Sequence, residues 1–248
     1  SHDCTLKDET HLLANSEVVH NAVAEIGEVK YASLQDAFNA AKKGDTVKLL
    51  SDITLKEQVN ILSALDGLTL DGNGKTIICE TTTDPSQSGG SALYFGNATS
   101  KKYCTGIKIK NLTMTGKARF AIFLCGGTTS ELTNVNISGE YLYAINFYGT
   151  HGATMTNCDI SNSFVAPDNN NEGGAAVWTN VASANPLVLN NTRISVIAIN
   201  KYASVNTLAP KIFVNEGSET EVHTLDDGTV SGNKKLCVSS ESKGSYSV

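Results

Sequence analysis

A period of 23 residues constrains this chain more than any other feature. The segments Asn111-Leu-Thr-Met-Thr-Gly116, Asn134-Val-Asn-Ile-Ser-Gly139 and Asn157-Cys-Asp-Ile-Ser-Asn162 start 23 residues apart. Asn191-Thr-Arg-Ile-Ser195 follows after 34, one period plus an insertion of 11. A second apolar series recurs in step: Ala92-Leu-Tyr-Phe95, Ala121-Ile-Phe-Leu124, Ala144-Ile-Asn-Phe147 and Ala175-Ala-Val-Trp178. Two strand-like series on one spacing are the signature of a stacked repeat. So small a unit has room for short strands and turns but cannot bury its own apolar side chains. It must stack, at roughly 4.8 Å per coil, so that neighbours satisfy each other's backbone groups and enclose a continuous apolar column.

Alternation along each strand selects the residues that line the column. In Leu112-Thr113-Met114, Val135-Asn136-Ile137 and Cys158-Asp159-Ile160 the outer two residues should point inward and the middle one outward. Leu112, Val135 and Cys158 then form one stack, and Met114, Ile137 and Ile160 another. The leading asparagines 111, 134, 157 and 191 suit turns because Asn tolerates left-handed backbone and bonds to local peptide groups. In register, their amides can also bond to one another from coil to coil.

Before the repeats, Ser33 is placed to cap a helix from about Leu34 to Lys43, with Leu34, Ala37, Phe38 and Ala41 on one apolar face and Gly44 at its end. Short strands at Thr46–Leu50 and Ile53–Leu55 follow. A short amphipathic helix of this kind suits a lid over the open end of a strand stack. Residues 1–22 read as a lead-in segment, 23–238 as the stacked domain with its cap, and 239–248 as a C-terminal tail. Lys211–Val214, Thr220–His223 and Lys235–Val238 are expected to be irregular final coils.

The net charge of −6 and pI near 5.4 give no general attraction to a nucleic-acid backbone, and the lysine pairs 42–43, 101–102 and 234–235 are too short for a polybasic patch. No nucleic-acid partner is expected. No apolar run approaches the roughly 20 residues of a membrane span. Of six cysteines none forms a CxxC pair, and several sit where the pattern asks for small apolar residues. Four Asn-X-Ser/Thr sequons begin at Asn97, Asn111, Asn136 and Asn190.

Val23–Gly27 with Tyr31–Ala37, Gly44–Ile53, Leu70-Asp-Gly-Asn-Gly-Lys-Thr-Ile77 and the coils that follow resemble the pectate-lyase-like right-handed β-helix superfamily, which includes bacterial cell-surface modules. The resemblance runs from about residue 23 to 200. It agrees with the fold expected from the period: all-β, a right-handed single-stranded parallel β-helix with a short N-terminal capping helix. It also implies an extracellular or cell-surface location and a polysaccharide or host-surface glycan as partner.

The superfamily's enzymes have recognisable motifs, and this chain departs from each. Its lyases use a strand-borne basic residue beside calcium-gathering carboxylates; here the obvious coil arginines are Arg119 and Arg193, and neither sits in the lyases' Pro-containing motif. The nearest matches to the polyuronide hydrolase motifs are Asn157-Cys158-Asp159, Asp226-Asp227, Thr150-His151-Gly152 and Arg193-Ile194-Ser195, all altered, with His151 out of order. Asp159 should face outward, but Asn136 and Thr113 in the preceding coils supply no second acid for acid–base work. The five histidines show no paired ligand spacing, and the Gly72–Gly74 turn lacks an EF-hand's carboxylates. No catalytic residue, metal or cofactor is expected.

For recognition, the best region is the insertion at 164–174, which breaks the rhythm, carries Asp168 and Glu172, and leads into Trp178. Tyr141 and Tyr143 lie in the preceding coil. With Asp159, these six residues are the candidate ligand-binding set: aromatics for apolar contact with sugar rings, acids for their hydroxyls. The expected function is a noncatalytic surface or secreted module that binds glycans or mediates adhesion. A polysaccharide lyase or glycoside hydrolase and a structural spacer are the alternatives.

Overall fold

A computed structural model describes residues 21–62, 65–126, 129–149, 152–166, 173–180, 185–200, 211–226, 229–237 and 244–247. The protein is all-β, with one helix among the described residues. Its strands pair in three parallel ladders. The first runs through 46–48, 69–71, 107–110, 129–133, 152–156, 187–190 and 211–214. The second runs through 53–55, 75–80, 112–117, 135–137, 159–160, 193–194 and 219–220. The third runs through 59–61, 93–95, 120–125, 143–148, 175–180, 196–200 and 221–225.

Each ladder contributes columns of side chains to one shared core. Ile77, Met114, Ile137, Ile160 and Ile194 stack in register on the second ladder, all buried. Leu70, Ile109, Leu132, Met155, Leu189 and Val214 do the same on the first, and Leu93, Ile122, Ile145, Val177, Ile197 and Val222 on the third. The expected stack of Leu112, Val135 and Cys158 is present and then changes character. Its next positions are the buried Thr192 and Ser218, which take part in backbone hydrogen bonds: Thr192 Oγ1 accepts from Cys158 N–H at 3.1 Å and donates to the Met155 carbonyl at 3.1 Å. A buried hydroxyl is tolerated because its partners are supplied.

The asparagines make the corner between the first and second ladders. Asn111, Asn134, Asn157 and Asn191 all have left-handed φ, between 45° and 55°. Their amides stack as expected: Asn134 Nδ2 donates to Asn111 Oδ1 at 3.0 Å, and Asn191 Nδ2 to Asn157 Oδ1 at 2.8 Å. At the N-terminal end the series finishes on a carboxylate, with Asn111 Nδ2 donating to Asp71 Oδ1 at 3.3 Å. The next corner needs Gly116, with φ of +98°; a Cβ there would lie 2.2 Å from the Cys79 carbonyl oxygen of the coil below.

Both ends depart from parallel pairing. At the N-terminus Ala24–Ile26 runs antiparallel to both Val29–Tyr31 and Thr46–Leu49. The capping helix spans Leu34–Ala40, with Ser33 Oγ accepting from Asp36 N–H at 3.0 Å. Phe38 packs edge-on against Phe95 of the third ladder at 5.9 Å. The helix stops short of the expected Lys43 because the Asp45 carboxylate takes the Lys42 N–H at 2.8 Å and draws the chain into a turn. At the C-terminus Lys211–Val214 continues the first ladder, but Thr229–Cys237 folds back antiparallel on Glu219–Asp226. The expected tail contributes Gly244–Ser247, antiparallel to Lys211–Val214. An end coil has an open edge, and antiparallel return strands give its backbone groups partners.

One register differs from the aligned repeats. Ile145 pairs with Val177, so it is Ala176 rather than Ala175 that follows Ala144, and Trp178 stands over Asn146 rather than Phe147. A one-residue slip reverses every side chain of a strand. Trp178 therefore points outward, away from the column. Cys79, Cys104, Cys125 and Cys158 are free and buried, filling space as small apolar groups, while the side chains of Cys4 and Cys237 lie outside the described residues.

Two outcomes follow from the stacking. Ile137 is 1% exposed in mid-column, so Ile137→Asp should abolish stable folding at a cost of several kcal/mol; a melting temperature within a few degrees of the parent would contradict the column. Asp71 reports on the corner. Burial acts to raise its pKa, but the Asn73 N–H, the Asn111 amide and Lys110 together hold it below the ordinary 3.8. A carboxyl depressed in the folded state stabilises above its unfolded pKa and loses that contribution as pH falls through the folded value. Urea midpoints should therefore fall less steeply with acidification in Asp71→Asn than in the parent below about pH 4; equal slopes would remove Asp71 from the linkage.

Candidate functional site

The outward residues of the second ladder form a polar row. Thr76, Thr113, Asn136, Asp159, Arg193 and Glu219 occupy equivalent positions on successive coils. Beside them run Ser138, Ser161 and Ser195. Two hollows meet at Asp159 and Ser161: one is completed by Asn136 and Ser138, the other by Arg193, Ser195, Glu219 and Glu221. The row forms because the column beneath sets the register; alternation then turns the intervening residues outward.

The coils before Asp159 offer it no charged neighbour, which is as far as the regular period reaches. The coil after it supplies Arg193, whose Nη1 lies 4.0 Å from Asp159 Oδ2, and Glu219 follows on the far side of the arginine. Asp159 and Arg193 are 56% and 70% exposed, so their attraction is screened and both remain open to a ligand. The signal was present in Asn191-Thr-Arg-Ile-Ser195, which aligns Arg193 with Asp159 once the insertion is skipped. A carboxylate, a guanidinium and flanking hydroxyls, spaced one coil apart on a rigid sheet, can make directional hydrogen bonds to a polyhydroxylated chain.

The aromatic candidates lie elsewhere. Tyr141 is fully buried in the main core, with its hydroxyl donating to the Ser138 carbonyl at 3.1 Å. It also hydrogen-bonds the Cys79 thiol, which burial pushes up to about 12. Tyr143 and Trp178 belong to a second apolar cluster on the outer side of the third ladder, where Tyr143 stacks between Phe120 and Trp178 at 5.6 and 5.7 Å. All three are too enclosed to offer a ring face to a sugar. Within this outer cluster Trp178 Nε1 and, one coil away, Asn146 Oδ1 are buried with no hydrogen-bond partner among the described residues. Asp168, Glu172, His151 and Asp227 lie outside the described residues. Among the described residues no group of three or more His, Cys, Asp or Glu is placed to hold a metal, and no helix is long and apolar enough to cross a membrane.

Two residues with structural duties are not evident from the sequence. Arg119 donates to the Ser86 and Gln87 carbonyls and lies over the Phe120 ring, so it anchors the loop before the third ladder. Asn162 clamps the insertion: its amide donates to the Tyr141 and Ala175 carbonyls at 2.7 and 2.9 Å, and its oxygen accepts from Tyr141 and Phe164 N–H at 3.0 and 3.1 Å. It thereby ties the point where the insertion leaves the stack to the point where it returns.

A further hollow, lined by Ala98, Tyr103, Cys125, Gly126, Tyr148 and Gly149, opens at the end of the third ladder. Tyr103 and Tyr148 are its exposed aromatics, at 43% and 41%. Comparison with protein-family models, with curated proteins and with solved structures finds no match.

Asn162→Ala should lower stability by about 2–4 kcal/mol, since four partly buried backbone groups lose their partner and each unsatisfied group costs roughly 1–3 kcal/mol when water cannot replace it. Asn162→Asp keeps only the accepting half and should destabilise as well. A denaturation midpoint unchanged in both variants would show that the clamp is dispensable.

Proposed function

We propose that this chain is a noncatalytic, extracellular right-handed parallel β-helix of the pectate-lyase-like kind, which binds a polysaccharide or cell-surface glycan along the outward face of its second ladder. The fold part of this reading is supported by three parallel ladders sharing one column and by the strong preference of parallel connections for the right hand. The functional part rests on one observation: Asn136, Asp159, Arg193 and Glu219 stand in line beside a row of serines. Residues at this spacing present repeated donors and acceptors to a ligand that is itself a repeat. Binding takes precedence over cleavage because the group facing Asp159 from the next coil is a guanidinium and not a second carboxylate for acid–base work.

One feature favours a second reading, an inverting glycoside hydrolase. The strands of Asp159 and Glu219 are two coils apart, about 9.6 Å at roughly 4.8 Å per coil, just beyond the roughly 6.5–9.5 Å between carboxyls in inverting enzymes. The two readings separate in one experiment. A glycan-array screen of the parent, followed by titration of its best ligand, should find binding that weakens about tenfold in Arg193→Ala and in Asp159→Ala, the order of one charge-assisted hydrogen bond. Incubation with the same glycan should release no reducing ends or unsaturated products. Undiminished affinity in both variants would move recognition off this face. Product release lost in Asp159→Asn and Glu219→Gln would establish the hydrolase.

A further inference from the structure

We propose that the cleft between Tyr103 and Tyr148 is a separate binding site for a single neutral pyranose ring. It lies at the end of the third ladder, apart from the Asp159 row, and stands on its own geometry. The cleft holds about 390 Å³, within the range of small-ligand sites and ample for one sugar ring. Its floor is two glycines on successive coils: a Cβ on Gly149 would come within 3.7 Å of Gly126 Cα, and a Cβ on Gly126 would fall 2.2 Å from Tyr103 Cδ1. The bare backbone at Gly126 is what lets the Tyr103 ring sit there.

Tyr148, which also lines the cleft, is held from beneath. Tyr148 packs on Phe123 with centroids 5.7 Å apart, and Phe123 stacks on Tyr94 at 4.1 Å and 8°. The Tyr148 carbonyl accepts from Gly126 N–H at 2.8 Å, joining wall and floor. Tyr148 is thus positioned before any ligand arrives, which spares much of its ordering cost on binding. Each tyrosine still leaves roughly two-fifths of its surface to solvent. Among the described residues the lining has no charged side chain, and so none that would pair with a uronate, a phosphate or an amino sugar. What it offers is apolar ring surface ending in phenolic hydroxyls. That combination suits a ring with an apolar C–H face and a hydroxylated edge.

Amide shifts of the labelled protein would be followed by NMR during titration with the methyl glycosides of glucose, galactose, mannose and N-acetylglucosamine at millimolar concentration, with indole as an aromatic control. At least one glycoside should shift Gly126 and Gly149 saturably while leaving Asp159 and Arg193 in place. Its Kd should rise about five- to tenfold in Tyr148→Ala, the size of one lost ring contact, and less in Tyr148→Phe, which keeps the ring. Trp178 is the single tryptophan of the chain, and unchanged fluorescence would certify that each variant is folded. Should Tyr148→Ala not fold, Tyr148→Phe and the shifts of the parent decide the matter. Shifts confined to Asp159, Arg193 and their neighbours would overturn the cleft while leaving the groove reading intact. Shifts at the glycines with indole alone, or with no probe, would overturn it whatever the glycan array reports for the groove.

Discussion

Registry between coils is the constraint on which everything else in this protein depends. No coil buries its own apolar residues or pairs its own strands, so each column position and each backbone group is completed only by the coil above or below. A parallel ladder allows this with identical geometry at every step. The consequence is visible in the second ladder, where an isoleucine or methionine fills the same site on five successive coils. The corners obey the same rule. Four asparagines adopt the same left-handed turn because any other conformation would throw the next strand out of line.

The repeating middle was legible in the sequence because both of its signals, alternation and period, come from this registry. Leu112, Val135 and Cys158 could be assigned to one stack without a structure, and the amide bonds of Asn134 to Asn111 and of Asn191 to Asn157 followed from the same alignment. Legibility failed wherever the chain leaves the period. The four-letter match of Ala175-Ala-Val-Trp178 to Ala144-Ile-Asn-Phe147 was off by one, because the insertion before it removes the fixed count that placed the other strands. The slip sent Trp178 to the outer cluster. Likewise the antiparallel return of Thr229–Cys237 and Gly244–Ser247 answers a need felt only at an end, and no repeat announces it.

The charged row was legible only in part. Asp159 and Arg193 are 34 residues apart but share the places of one repeated Asn-led segment, whereas Glu219, 26 residues further on, follows no such segment. They meet because Ile160, Ile194 and Thr220 take consecutive places in the buried column beneath. Chemistry on the outside of such a fold is therefore set indirectly: the interior decides which outward residues become neighbours, and an insertion alters the distance in sequence without altering the distance in space. The insertion at 164–174 stands out as a break in the rhythm, yet Asn162 ties its point of departure to its point of return at Ala175.

The same indirectness distinguishes the outer faces of the second and third ladders. On the second ladder the outward row from Thr76 through Thr113, Asn136, Asp159 and Arg193 to Glu219 is polar or charged. On the third ladder they are aromatic and pack on one another, Tyr94 on Phe123, Phe120 on Tyr143 and Tyr143 on Trp178, so most of that face is closed to solvent as an auxiliary core. A hollow borders it where the aromatic array meets the stacked glycines at Gly126 and Gly149. A side chain at Gly126 would collide with the Tyr103 ring that lies over it. One ladder thus carries a polar row and the other an aromatic array, although both are built over the same column.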